Sequence, residues 1–130
     1  MFNKNKQPPI KSLIAQGTRI NGNIAFTEGL RVDGDVVGNI KAQDEGGSIL
    51  VISESAKVTG EVRANHIIIN GTVIGPVVAS SMLELQPKAR IEGDIEYTAL
   101  EMHQGALISG QLRPIVEAQE KPTLKLAAKK

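Results

Sequence analysis

One seven-residue phrase recurs along the chain: a small residue, any residue, Ile or Val, any residue, Gly, any residue, and then an aliphatic one. Its six copies are Thr18-Arg-Ile-Asn-Gly-Asn-Ile24, Gly34-Asp-Val-Val-Gly-Asn-Ile40, Ala56-Lys-Val-Thr-Gly-Glu-Val62, Gly71-Thr-Val-Ile-Gly-Pro-Val77, Ala89-Arg-Ile-Glu-Gly-Asp-Ile95 and Ala106-Leu-Ile-Ser-Gly-Gln-Leu112. The central glycines, Gly22, Gly38, Gly60, Gly75, Gly93 and Gly110, are spaced by 16, 22, 15, 18 and 17 residues. A period near 17 residues is too short for a helix pair or a propeller blade, but it suits one coil of a solenoid with three short faces. The long interval contains Asp44-Glu-Gly-Gly-Ser48, a polar glycine-rich stretch expected to bulge as a loop from one corner.

Inside the phrase, strict alternation puts the small residue, the aliphatics and the glycine on one side, because side chains of a strand point to opposite faces in turn. That side is the expected interior. Between phrases lies a second alternating segment, seen as Leu30-Arg-Val32, Leu50-Val-Ile52, Ile67-Ile-Ile69, Leu83-Glu-Leu85 and Leu100-Glu-Met102. The expected fold is therefore all-β: a single-domain parallel β-helix of about six coils, a rod roughly 25–30 Å long at the usual strand spacing. Composition agrees with a layered aliphatic core. The chain has two Phe, one Tyr and no Trp among 130 residues, yet is 41% hydrophobic. Glycine in an inward slot suits a corner where the backbone bends sharply.

Charge is divided along the chain. Residues 1–27 carry Lys4, Lys6, Lys11 and Arg19 with no acid (+4), residues 28–112 carry six bases and twelve acids (−6), and residues 113–130 carry five bases and two acids (+3). An acidic body repels phosphate, so nucleic acid is not an expected partner. The absence of cysteine excludes disulfides and thiolate metal sites and suits a reducing compartment. With neither a stretch of signal length nor a spanning segment, the expectation is an intracellular protein. The expected layout is a disordered basic tail over 1–12, a β-helix core over 13–113 and a flexible basic tail over 114–130.

A β-helix has no lateral edges, but its first and last coils leave unpaired N–H and C=O groups above an open apolar core. Monomeric solenoids cover such ends with polar or helical caps, and none is legible in these short proline-containing flanks. The outward second slot of the phrase reads Arg19, Asp35, Lys57, Thr72 and Arg90, and then Leu107. An aliphatic residue outside the last coil points to a contact surface. Ile14 and Ile20 at one end and Leu107, Ile108 and Leu112 at the other are the expected polymer contacts, with contacts that do not close generating filaments.

The array of Gly-x-aliphatic phrases between short tails resembles the bactofilin family over roughly residues 13–113. The resemblance implies a right-handed triangular β-helix that assembles end to end, without nucleotide, into filaments on the inner face of the cytoplasmic membrane. It implies a scaffold for cell shape that positions cell-wall enzymes and polar structures, with those enzymes or other scaffold proteins as partners besides the chain itself. Some members begin with a membrane-inserting Met-Phe peptide followed by lysines, and Met1-Phe-Asn-Lys-Asn-Lys6 is similar to it. Met1 and Phe2 would enter the interface while Lys4 and Lys6 meet anionic lipid, at about 1 kcal/mol per basic residue. Avidity along a polymer would strengthen that hold. Where the family tends to place an aromatic residue in the terminal contact, this chain has Leu107 and Ile108.

Enzymatic readings fare worse. A hexapeptide-repeat acyltransferase or related carbonic anhydrase needs a sustained six-residue period and a working histidine. Here the period does not hold at six, and His66 and His103 have no conspicuous third ligand near them in sequence, so neither metal nor other cofactor is expected. The pairs Asp33/Asp35 and Glu92/Asp94 read as solvated charge on a shared outward face. No Gly-Lys-Ser or Gly-Lys-Thr follows any glycine phrase. Leu124, Leu126, Ala127 and Ala128 among the C-terminal lysines read as flexible tail. The alternative function is a non-polymeric adaptor that binds partners through its outer faces, where Val37 and Ile74 are apolar at outward slots.

Overall fold

The computed structural model describes residues 9–43 and 47–116. The chain is all-β, and its strands wind as six coils with three faces each. The first coil comprises β1 (Ser12–Ile14), β2 (Arg19–Asn21) and β3 (Ile24–Phe26), and the second β4 (Gly29–Val32), β5 (Asp35–Val37) and β6 (Ile40–Ala42). Then follow β7 (Ile49–Ile52), β8 (Lys57–Thr59), β9 (Val62–Ile69), β10 (Thr72–Ile74), β11 (Val77–Leu85) and β12 (Arg90–Glu92). The last are β13 (Ile95–Met102), β14 (Leu107–Ser109) and β15 (Leu112–Pro114). β9, β11 and β13 each run round a corner, ending one coil and starting the next, as their split pairing shows.

All pairing is parallel and in step with the repeat. On one face β2, β5, β8, β10, β12 and β14 form a six-stranded sheet. Its inward column is Ile20, Val36, Val58, Val73, Ile91 and Ile108. A second face stacks Ile24, Ile40, Val62, Val77, Ile95 and Leu112, and the third stacks Leu30, Leu50, Ile67, Leu83 and Leu100. From the second to the fifth coil these side chains are fully buried. The repeated phrase and the intervening segment thus meet in one axial core of branched aliphatics, each buried side chain contributing about 1.5–3 kcal/mol over its exposed state.

The glycine of each phrase stands at a corner. Gly75 adopts φ +146°, and a Cβ there would collide with the carbonyl oxygen of Gly60 one coil earlier. Stacking therefore forbids a side chain at the corner as firmly as the backbone conformation does. The residue after the glycine turns this corner into a polar ladder. Asn23 Oδ1 accepts the Asn39 amide at 2.9 Å, Asn39 Oδ1 accepts that of Glu61 at 2.9 Å, and Asp94 Oδ1 accepts that of Gln111 at 3.0 Å. Pro76 breaks the series because it has no N–H to donate, and Glu61 is instead bound by Arg63 at 2.9 Å.

The long repeat interval falls between β6 and β7, at a corner; residues 44–46 lie outside the described residues. Ser48 is buried and joined to the next coil: Asn65 Oδ1 accepts the Ser48 amide at 2.9 Å and Ser48 Oγ accepts the Asn65 amide at 3.0 Å. Asn65 Nδ2 then donates to Ser80 Oγ at 2.6 Å.

Candidate functional site at the two ends of the rod

The inward slots that are sealed in mid-rod open at the ends, because a coil's core is covered only by its two neighbours. In the last coil Met102 is 46% and Leu112 42% exposed, although the residues below them, Leu85 and Ile95, are fully buried. Leu100 and Ile108 are half-buried beside them. In the first coil Ile20 and Ile24 are half-buried, whereas Ile14 and Phe26 are only 8% and 7% exposed. Phe26 marks the difference. It heads a column that continues through Ala42, Ala64, Ala79 and Tyr97 to Pro114, so this column begins with a buried aromatic ring and ends with an exposed proline.

Each end also presents a strand edge. The final strands, β14, β15 and the second part of β13, have no described partner beyond them. Pro114 blunts one of these edges. The Ile115 amide donates inward to Tyr97, so by alternation an amide at position 114 would face the open end, where proline removes an unpaired donor. The apolar surface can gain about half of the 1.5–3 kcal/mol per side chain that full burial of a large aliphatic gives. That is small against the cost of association, so a contact here must recruit several side chains or the strand edges together.

The residues expected to make polymer contacts divide by position. Ile108 and Leu112 point into the open end, Ile20 lines the opposite end, and Ile14 is inward but covered. Leu107 points outward, 58% exposed, on the lateral face beside its register partner Arg90. Met1, Phe2, Lys4 and Lys6 lie outside the described residues, as does the C-terminal stretch from 117. Sequence reasoning passed over Leu100, Met102, Ile24 and Phe26. The signal for the first two was present, because Leu100-Glu-Met102 repeats the alternating segment of every earlier coil at the place where the coils stop.

The titratable residues fall elsewhere. Asp33 and Asp94 stand at corners, while Asp35 and Glu92 lie on the adjoining strands, so neither pair presents two carboxylates on one strand face as expected. The corner interrupts the alternation. Asp33 is held below the usual carboxylate range by a hydrogen bond from Ser53 and by Arg31, whose Nε lies 2.9 Å away. His66 is half-buried, and that burial lowers its pKa against a smaller opposing effect of Glu84. His103 does have partners that could hold a metal with it: parallel stacking brings Glu84 and Glu101 to its ring, a grouping hidden in sequence because Glu84 belongs to the previous coil.

A family model described as "Bactofilin: Polymer-forming cytoskeletal" matches residues 12–113. A curated relative, Bactofilin BacO of Myxococcus xanthus, is 29% identical over 101 residues, which cover 78% of this chain and 77% of the relative. No solved structure matches.

Proposed function

The chain belongs to the bactofilin family, whose members are polymer-forming cytoskeletal proteins, and on that premise we propose that it polymerises end to end through its open terminal coils, without nucleotide. One observation carries this reading: inward slots sealed in four successive coils are open in the last, where Met102 and Leu112 are nearly half exposed. Contact made by covering apolar surface and strand edges requires no hydrolysable ligand. The protein then acts as a structural scaffold and not as a catalyst.

The finer reading is a filament peripherally bound to the inner face of the cytoplasmic membrane, contributing to cell shape and positioning cell-wall enzymes. The Met1-Phe2 pair with Lys4 and Lys6 supports the membrane contact, because two apolar side chains and two cations next to a polymer would bind anionic lipid by avidity. Sedimentation of the full chain across protein concentration and salt, with nucleotide omitted, tests the assembly. Large polymers are expected; a monomer under all conditions would leave the adaptor reading, with Val37 exposed on the lateral face, as the better one. Flotation with anionic vesicles tests the membrane contact, and Phe2→Ala is expected to reduce it. Filaments that never float, or that float equally well with Phe2→Ala, contradict the assigned peptide.

A further inference from the structure

We infer that Glu84, Glu101 and His103 form a divalent transition-metal site that fastens the last coil to the one before it. Glu84 and Glu101 are register partners on the outward side of β11 and β13, and His103 follows β13 directly. His103 Nε2 lies 3.2 Å from Glu101 Oε2 and 3.4 Å from Glu84 Oε2, and one donor atom from each residue falls within 4.8 Å of the others.

The two separations from His103 match what a metal would impose. Imidazole nitrogen and carboxylate oxygen bind zinc at about 2.0–2.2 Å, which places neighbouring ligand atoms of a tetrahedral centre about 3.4 Å apart. Three protein ligands and a fourth position for water make a familiar coordination number, and a mixed nitrogen and oxygen set favours zinc, nickel or copper over magnesium or calcium.

Charge points the same way. The column that holds Glu84 and Glu101 contains Arg31, Val51 and Ile68 in the coils below, so two carboxylates in direct register appear only at this end. Like charges directly opposite on paired strands are destabilising. Among the described residues no lysine or arginine forms an ion pair with either glutamate, and the partner they share is His103. Gln86 Nε2 donates to Glu84 Oε2 at 3.2 Å and orients that carboxylate from the side. A dication would neutralise the pair while binding the neutral imidazole, and it would join one ligand of the fifth coil to two of the sixth. The terminal coil, which among the described residues has a neighbour on one side only, would be held more firmly where it meets another subunit.

Calorimetric titration of the full chain, stripped with chelator, against zinc chloride tests this. One zinc per chain is expected, with Glu84→Gln and His103→Gln each weakening binding by more than the roughly 10- to 100-fold lost with an outer-shell partner. Glu54→Gln and His66→Gln, which leave the three donors in place, are expected to bind as the wild type does. Zinc should also raise the melting temperature of the wild type but not of His103→Gln, while circular dichroism confirms that both remain folded. Absence of saturable binding, binding unchanged by His103→Gln, or equal loss on His66→Gln would overturn the site; in those cases the three groups are a polar contact of one imidazole with two carboxylates, or a chance grouping.

Discussion

The two ends of the rod are built from the same repeat, yet they close to different degrees. At the first coil Ile14 and Phe26 are 8% and 7% exposed; at the last coil the residues that end the same two columns are Met102, 46% exposed, and Pro114, also exposed. Among the described residues neither end has a covering coil, so the repeat alone does not decide how apolar an end is. The residues that end the inward columns do, as Phe26 and Pro114 show in theirs. The C-terminal end is therefore the more apolar of the two contact surfaces, and the N-terminal end offers a smaller one around the half-buried Ile20 and Ile24.

The contrast is sharpest where one slot is tested in two coils. Leu83→Ala, in mid-rod, should cost about 4 kcal/mol in urea unfolding, whereas Leu100→Ala in the same column of the last coil should cost about 1 kcal/mol in the monomer. Equal costs would mean that the last coil is covered after all. Phe26→Ala should cost about 3 kcal/mol and open the N-terminal end, so its unfolding midpoint must fall well below that of Met102→Ala. Gly75→Ala should cost about 2 kcal/mol or more, since a Cβ meets the Gly60 carbonyl. Gly22→Ala, at φ +139° with nothing within 4 Å, bears only the backbone strain and should cost about 1 kcal/mol. The smallest effect concerns His66. Its pKa is lowered from 6.5 in the fold, so the native state holds fewer protons than the unfolded chain between the two values. Stability should rise as pH increases through that window, with the penalty fully in force below it. His66→Gln should flatten this dependence in thermal melts at successive pH values.

Much of this architecture is legible in the chain itself. The phrase around Val58 or Val73 has its alternation, its glycine and its spacing in plain view, and each coil repeats the message, so a parallel coil with an aliphatic axis follows from pattern alone. Positions whose meaning depends on register are harder to read. Leu107 stands out in sequence as an apolar residue in a polar slot, but that slot faces sideways, and the open end is lined by Met102, which looks ordinary until the coils are counted. Asp33 and Asp94 were misplaced because a corner interrupts the alternation that runs through the strands. His103 looked isolated because its partner Glu84 lies a whole coil away along the chain, and parallel stacking alone brings them together.

The central claim is that subunits join through the open terminal coil, and electron microscopy of the nucleotide-free protein tests it most directly. Wild type is compared with Met102→Lys/Leu112→Lys at the end and with Val37→Lys on the lateral face. The account predicts filaments for the wild type and for Val37→Lys, and dispersed, folded monomers or short oligomers for the double variant. Filaments that persist in the double variant, or that disappear only with Val37→Lys, would contradict it and place the contact on the side of the rod.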